Sequence, residues 1–242
     1  MKPFLLLSIR SEDIAAHDER EAIARAAGLD EDQLAWHRLD REPLPPIDLD
    51  DWSGFILGGG AYNFSDRDKA VDQVRAEADL YRLLDQVVAA DFPFFGACYG
   101  VGVVGSHQGG LVDRKYGEPV GRTEIRLTEA GRADPIFVEL PAVFDAFLGH
   151  KEAINVLPAN AVLLASSSTC PTQAFRIGEN IYVTQFHPEL DSDGLCLRVE
   201  VYQDYGYFDP SEVEELQRLA REREVEHPKL LLRAFAERFA RA

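Results

Sequence analysis

The chain has 242 residues, of which 46% are hydrophobic and 28% are charged, as is typical of a soluble globular protein. Asp and Glu total 42 against 25 Lys and Arg, and the resulting formal charge of −17 disfavours binding to nucleic acids or anionic membranes. Three widely spaced cysteines (Cys98, Cys170 and Cys196) fit neither a disulfide framework nor a zinc site, and no histidine is spaced as one of a metal pair. We therefore expect a cytoplasmic protein without a metal or cofactor.

The first hundred residues alternate between apolar runs and helical patterns. Continuous apolar runs predict buried strands, and apolar residues at helical spacing predict helices. The predicted elements in chain order are a strand over 4–9, a helix over 18–27 ended by Gly28, strands over 34–39 and 54–57, a helix over 66–90 and a strand over 93–97. The pattern of the long helix places these residues on one side: Val71, Val74, Ala78, Tyr81, Leu84 and Val88. Such alternation is typical of an α/β protein with a largely parallel sheet wrapped on both faces.

The rest of the chain is richer in strands and ends in a helical tail. Candidate strands cover 123–127, 136–140 and 161–165, and the segment 211–242 predicts two helices that divide near His227-Pro228. We interpret residues 1–242 as a single domain with a helical C-terminal extension over about 207–242. The apolar residues of that tail are expected to pack on the core, with a dimer or partner interface as the alternative; they are Leu230, Leu231, Leu232 and Phe235.

The segment around Cys98 has the pattern of a nucleophile elbow. An apolar strand runs directly into Gly-Ala-Cys-Tyr-Gly, with Gly96 and Gly100 two residues to either side of Cys98. A nucleophile on a sharp strand-to-helix turn needs small neighbours, and a following helix N-terminus favours the reactive thiolate. The alternative is a structural cysteine beside two packing glycines, since free cysteine is often buried.

A thiolate nucleophile requires a base, and His187 is the best-placed candidate. It follows the apolar run 181–186, so it would lie at the carboxyl edge of a parallel sheet, where such folds place their sites. Glu189, two residues later beyond Pro188, could orient the imidazole from the same loop. A solvated surface turn with two charged residues is the alternative.

A run of three glycines, Gly58, Gly59 and Gly60, follows the predicted strand at 54–57. Its bare backbone N–H groups, with that of Tyr99 beside the nucleophile, could stabilise an oxyanion. Glycine runs also form plain turns or phosphate loops, but the Lys-Ser/Thr pair of a phosphate loop does not follow here.

Taken in this order, the Gly-Gly turn, the Gly-x-Cys-x-Gly elbow and the His-Pro-Glu segment resemble the class I glutamine amidotransferases. The sequence is most similar to stand-alone proteins related to the amidotransferase domain of GMP synthase. Three further segments support this resemblance, namely LTEAGRADPIF from Leu127, LLASSSTCPTQAF at 163–175 and QFHPE at 185–189. The resemblance covers roughly residues 50 to 190 and implies a flavodoxin-like three-layer α/β/α sandwich.

The resemblance also implies a reaction and its residues. Cys98 would attack the side-chain amide of glutamine to form a thioester, His187 would protonate the departing ammonia and then activate water, and Glu189 would orient His187. The backbone amides of Gly59 and Tyr99 would hold the oxyanion, with Gly58 and Gly60 beside the substrate. A separate synthase partner would use the ammonia, because the chain carries no ATP-binding motif.

The chain departs from the family pattern at two places. Gly102 stands where relatives commonly carry a glutamine that helps to hold the substrate, and Lys151 and Glu152 replace the last two residues of a Ser-His-Gly-Asp-like segment at His150. Two other functions therefore stay open. One is a stand-alone hydrolase of γ-glutamyl amides or peptides, and the other is a catalytically silent protein that binds a partner.

Overall fold

The computed structural model describes residues 1–242. Its strands are β1 (Phe4–Ser8), β2 (Leu34–Arg38), β3 (Gly54–Leu57), β4 (Phe94–Ala97), β5 (Leu111–Asp113), β6 (Glu118–Leu127), β7 (Val143–His150), β8 (Ala153–Val156), β9 (Ala161–Ser166), β10 (Ala174–Ile177) and β11 (Ile181–Thr184). Its helices are α1 (Asp13–Ala27), α2 (Val71–Ala90), α3 (Tyr99–His107), α4 (Glu129–Ala133), α5 (Ser192–Val201), α6 (Val213–Arg221) and α7 (Lys229–Phe239).

Nine strands form one sheet in the order β2-β1-β3-β4-β11-β10-β9-β6-β7. The first five strands of this order are parallel, and the remaining four extend the sheet through antiparallel pairs. Strands β5 and β8 form a separate two-stranded ribbon. The carboxyl ends of β1, β3, β4 and β11 therefore meet at one edge, which is where ligand sites form in such sheets.

Helices cover both faces of the parallel strands, because successive side chains of each strand point in opposite directions. Leu5 and Leu7 belong to a core shared with α2 and α3, whereas Leu6 belongs to a core shared with α1 and α7. All five residues of β1 are buried, as its unbroken apolar sequence predicts. The predicted flavodoxin-like α/β/α sandwich is confirmed.

Two predictions about individual elements were wrong. The segment 136–140 is a turn after α4 and not a strand, because the Asp134 side chain accepts a hydrogen bond from the Ile136 N–H (2.9 Å) and closes a local turn. Helix α2 begins at Val71, later than predicted, and Val71 and Val74 are 87% and 53% exposed. The stripe that packs on the sheet is displaced from the predicted one: of the predicted residues, Leu84 is fully buried, and Tyr81 and Val88 are half-buried at its edge. The fully buried apolar residues of the stripe are Ala76, Leu80, Leu83, Leu84 and Val87.

The C-terminal tail packs on the sheet, as the sequence predicts. Leu231, Leu232 and Phe235 of α7 are buried in the core that includes Phe4 and Tyr182. The ring of Phe235 lies 6.0 Å from that of Phe4 and 6.5 Å from that of Tyr182, measured between centroids. None of the seven helices combines the length and apolarity that a membrane span needs.

These contacts predict that the tail unfolds together with the rest of the domain. Phe235→Ala should lower the free energy of unfolding by about 3–5 kcal/mol, because it removes a fully buried ring. Urea denaturation followed by circular dichroism measures this change. Leu219→Ala, at a position 43% exposed, is the matched control and should change stability by less than about 0.5 kcal/mol. Two separate transitions in the parent protein would contradict a single domain over 1–242.

Candidate active site

Cys98 occupies a strained turn between β4 and α3. Its backbone has φ 49° and ψ −83°, and only Asp91 among the other non-glycine residues also has a positive φ. Such a conformation costs on the order of 1–3 kcal/mol and persists only where the surroundings enforce it. The Cys98 N–H donates to the Thr184 carbonyl at the end of β11 (2.7 Å), which ties the turn to the neighbouring strand.

The glycines beside Cys98 contribute unequally to this turn. A Cβ at Gly96 would lie 3.0 Å from the Cα of Gly100 and 3.1 Å from Val183 Cγ1, so a side chain here would force the neighbouring backbone to move. A Cβ at Gly100 would make only ordinary contacts, at 3.8 Å from Leu57 and Val183. The steric requirement predicted at both glycines therefore holds at Gly96, while Gly100 matters as the backbone against which Gly96 packs.

His187 and Glu189 form a buried hydrogen-bonded pair. His187 Nδ1 lies 2.8 Å from Glu189 Oε1, and the His187 N–H donates to the Phe147 carbonyl (2.9 Å). Burial alone would lower the pKa of His187, but the Glu189 carboxylate and the neighbouring Cys98 raise it to about 9. Burial would likewise raise the pKa of Glu189, but His187, helped by Arg198 and Arg10, lowers it to about 2. The pair is thus a protonated imidazole beside an ionised carboxylate.

The three glycines after β3 pack closely against their neighbours at the same edge. A Cβ at Gly58 would lie 2.3 Å from Glu19 Oε2, one at Gly59 would lie 2.5 Å from His187 Cε1, and one at Gly60 would lie 2.7 Å from Ile9 Cδ1. Gly60 also lines the cavities next to Cys98, whereas Gly58 lies against Glu19 and does not line them.

The Gly59 N–H does not have the predicted orientation towards an oxyanion. It donates to Glu19 Oε1 (3.1 Å), and the same carboxylate accepts from Ser8 Oγ (2.8 Å) and Arg10 Nε (2.7 Å). Tyr99 is the first residue of α3, so its N–H has no helical carbonyl to bind. In this conformation the Gly59 N–H is bound by Glu19 of α1, so its role in an oxyanion hole stays a prediction.

Glu19 and Arg10 were not identified from the sequence as site residues, although the position of Glu19 on its helix could have indicated this. It lies on the apolar stripe of α1 with Ala15, Ala16, Ala22 and Ile23, where a carboxylate requires a buried partner. Arg10 is that partner, and it follows the carboxyl end of β1. Burial acts to lower the pKa of Arg10, but Glu19 and Tyr202 raise it well above its usual range, so the guanidinium stays charged.

The other two cysteines lack the environment of a nucleophile. Burial raises the pKa of Cys170 to about 11, and its thiol donates to the Thr172 carbonyl (3.4 Å). Burial also raises the pKa of Cys196, whose thiol faces the Gln217 carbonyl (3.6 Å). Cys98 is therefore the cysteine that the fold places beside an imidazole.

Two cavities adjoin Cys98, one beside His187 and one beside Tyr99. The larger, of about 50 Å³, is lined by Cys98 and His187 together with Arg10, Arg198 and a mainly apolar wall. The smaller, of about 20 Å³, is lined by Cys98 and Tyr99 together with polar side chains. Tyr207 lines both, and its hydroxyl lies 3.5 Å from the Ala61 carbonyl. The thiol and the imidazole–carboxylate pair have the chemistry needed for acyl transfer, and the two cavities offer space for the two parts of a substrate.

An α/β sandwich with a cysteine at such a turn is the arrangement found in cysteine-dependent amide hydrolases. The comparison with family models identifies the family within this class. The family model for class I glutamine amidotransferases matches residues 22–194. The chain belongs to the class I glutamine amidotransferase family.

The curated relatives include GMP synthases. A glutamine-hydrolysing GMP synthase subunit from Thermoplasma volcanium is 31% identical over 144 residues, which cover 59% of this chain and 65% of that protein. The GMP synthase of Petrotoga mobilis is 28% identical over 148 residues, which cover 60% of this chain and 26% of that protein. The chain thus spans under two thirds of the length of either relative.

Solved structures share the fold over the whole chain. A glutamine amidotransferase from Thermotoga maritima has a TM-score of 0.77 at 22% identity, covering 99% of this chain and 98% of its own. A glutamine amidotransferase from Methylobacillus flagellatus has a TM-score of 0.72 at 16% identity, covering 100% and 97%. At these identities the likeness establishes the fold.

The electrostatics of the buried pair predict how His187 titrates. Glu189→Gln removes the carboxylate that outweighs burial, so the pKa of His187 should fall below about 9. Titration of the His187 ring by NMR measures this shift, and Glu179→Gln, at an exposed carboxylate, is the control. An unchanged pKa of His187 would contradict the proposed coupling.

The His187–Glu189 pair also predicts that the protein loses stability at both high and low pH. The folded-state pKa of His187 exceeds its unfolded value near 6.5, so its contribution is complete below that pH and is lost as the pH rises through about 9. The folded-state pKa of Glu189 is depressed, so its contribution is present above about 4.5 and is lost as the pH falls through about 2.

Proposed function

We propose that this protein hydrolyses the side-chain amide of glutamine through a cysteine thioester and delivers the ammonia to a separate synthase. One observation carries the proposal: the strained Cys98 shares a cavity with a buried imidazole whose other nitrogen is held by Glu189 at 2.8 Å. Membership of the class I glutamine amidotransferase family supports glutamine as the substrate class.

The proposed reaction divides between the two protonation states of His187. The Cys98 thiolate attacks the amide carbon, and the His187 imidazolium donates its proton to the departing nitrogen, so ammonia leaves and a γ-glutamyl thioester remains. The now neutral imidazole takes a proton from water, and the resulting hydroxide attacks the thioester. Glutamate departs, and the thiolate–imidazolium pair is restored. The raised pKa of His187 supports the protonated imidazole with which this sequence of steps begins.

The Tyr99 N–H is the proposed oxyanion donor. It stands at the N-terminus of α3 beside the nucleophile, where the helix dipole also favours negative charge. The Gly59 N–H would serve as a second donor only after its release from Glu19, which binds it in this conformation.

The synthase partner is proposed from the relatives. One relative is named as one of the subunits of a glutamine-hydrolysing GMP synthase, and in another the matched region is about a quarter of a longer synthase. By analogy with the subunit relative, this chain would act as the ammonia-producing partner of a separate acceptor enzyme.

Ammonia release from glutamine tests the nucleophile. Cys98→Ala should lower kcat at least about 10³-fold, because no other thiol lies beside His187. Cys170→Ala is the matched control and should retain activity, since that thiol is buried away from the site. Equal losses in both variants would refute the assignment. If wild-type protein shows no turnover, and iodoacetamide labels Cys98 no faster than a free thiol, the catalytically silent alternative is favoured.

A stand-alone γ-glutamyl hydrolase is the second candidate, and the larger cavity favours it. Its volume is about 50 Å³, and a water-sized group needs about 10–15 Å³. The cavity is therefore larger than a single leaving ammonia molecule requires. It lies on the His187 side of Cys98, where the leaving amine would be protonated, and Arg10 and Arg198 line it. A γ-glutamyl amide whose amine carries a carboxylate would fit this chemistry.

Substrate competition distinguishes the two candidates. The ratio of kcat/KM for glutamine to that for γ-glutamylglycine should exceed about 10 if ammonia is the natural leaving group, and a ratio below one would favour the hydrolase. Both reactions can be followed by the appearance of glutamate, with Cys98→Ala as the blank.

A further inference from the structure

The two cavities beside Cys98 meet at three residues. Gly60, Cys98 and Tyr207 line both cavities, and every other lining residue belongs to only one of them. The bond that Cys98 attacks lies at this junction, with the two parts of the substrate extending into the two cavities. Gly60 has no side chain, so the Tyr207 hydroxyl is the one polar side-chain group, apart from the nucleophile itself, that lines both cavities.

The chain around Tyr207 holds its ring in place. Gly206, the residue before it, has a φ of 72°, a left-handed conformation that glycine adopts without strain. Lys151 Nζ donates to the Tyr205 carbonyl (2.6 Å) and lies 4.2 Å from the centroid of the Tyr207 ring. One ammonium from the turn between β7 and β8 thus contacts both the ring and the backbone that precedes it.

The Tyr207 hydroxyl is only weakly bound by the protein. Its partner is the Ala61 carbonyl at 3.5 Å, whereas O–H···O hydrogen bonds are usually about 2.7–2.8 Å long. Burial raises the pKa of Tyr207 well above its usual range, and the neighbouring Cys98 raises it further. The phenol therefore keeps its proton at neutral pH and can turn this proton towards a stronger acceptor.

Attack by Cys98 creates such an acceptor, because the carbonyl oxygen of the substrate becomes an oxyanion. Donors that are in place before the reaction stabilise this charge, and tyrosine hydroxyls are among the groups that do so. Of the two backbone donors expected from the sequence, the Gly59 N–H is bound to Glu19 Oε1 (3.1 Å) in this conformation. The Tyr99 N–H is left as a single backbone donor, and a second donor would complete the oxyanion site.

We propose that Tyr207 is a further catalytic residue, whose hydroxyl donates a hydrogen bond to the oxyanion together with the Tyr99 N–H. This bond strengthens as negative charge develops on the oxygen, so it lowers the barrier more than it tightens substrate binding. The phenol keeps its proton throughout, and no covalent step passes through it. The inference rests on the proposed function for the acyl-transfer reaction. It gives a catalytic role to a residue beyond the segment 22–194 that the family model matches.

Steady-state kinetics of Tyr207→Phe, which removes the hydroxyl and keeps the ring, test the assignment. The kcat for glutamine should fall about 10²–10³-fold, the usual cost of losing one oxyanion donor, and KM should stay within about twofold. Tyr205→Phe is the matched control, because its hydroxyl bonds Glu12 and lines neither cavity. It should retain the kcat of the parent protein. A raised KM with an unchanged kcat in Tyr207→Phe would overturn the proposal.

A second pair of reactions tests the hydroxyl without glutamine. Acylation of Cys98 by p-nitrophenyl acetate passes through an oxyanion, whereas alkylation by iodoacetamide displaces iodide and forms no oxyanion. Tyr207→Phe should slow the acylation at least about tenfold and leave the alkylation within about twofold. Cys98→Ala supplies the blank for both reactions.

The two rates separate oxyanion stabilisation from an effect on the thiol. Equal slowing of both reactions would mean that the hydroxyl acts on Cys98 itself, and unchanged acylation would mean that it does not reach the oxyanion. Either result overturns the proposal. Selective loss of acylation, in a protein that does not hydrolyse glutamine, would support the role of Tyr207 and refute the proposed hydrolysis. Glutamine turnover that Tyr207→Phe leaves intact would do the reverse.

Discussion

The parallel pairing of β4 with β11 is the constraint on which the site depends. Ala97 is paired with Thr184, and the Cys98 N–H extends this ladder to the Thr184 carbonyl at 2.7 Å. The pairing puts the residue after one strand beside the residues that follow the other, so the thiol and the imidazole meet although 89 positions separate them in sequence. A shift of one residue in this register would turn the side chains to the opposite face.

Close backbone packing completes the arrangement. The His187 ring lies against Gly59 so tightly that no side chain fits there, and the Gly59 N–H is bound by Glu19 from α1. Arg10, after the neighbouring β1, neutralises Glu19 in turn. Residues from three parts of the sequence, after β1, on α1 and after β3, thus pack in sequence around one imidazole. Because the interior is close-packed, these positions are coupled and little freedom is left for substitution.

The distribution of charge divides the site into two environments. On the His187 side the cavity is mainly apolar and carries Arg10 and Arg198, whereas on the Tyr99 side it is small and polar. Such a division suits a reaction in which the acyl group and the leaving group need different surroundings. Tyr207 lines both cavities and lies beyond residues 22–194, which the family model matches. The C-terminal extension therefore also shapes the site.

The local sequence determined those strands and turns whose formation depends on a few neighbouring residues. The apolar runs of β1, β3, β4 and β11 and the glycine-flanked Cys98 are readable without a structure, since strand periodicity and turn chemistry act over a few residues. They also indicated that Cys98, His187 and Glu189 lie at one sheet edge. The turn at 136–140 is also local, because it rests on the Asp134 side chain, although the sequence pattern predicted a strand there. The buried side of α2 and the diversion of the Gly59 N–H to Glu19 were decided by tertiary structure, because the packing of a whole layer and a side chain distant in sequence determine them.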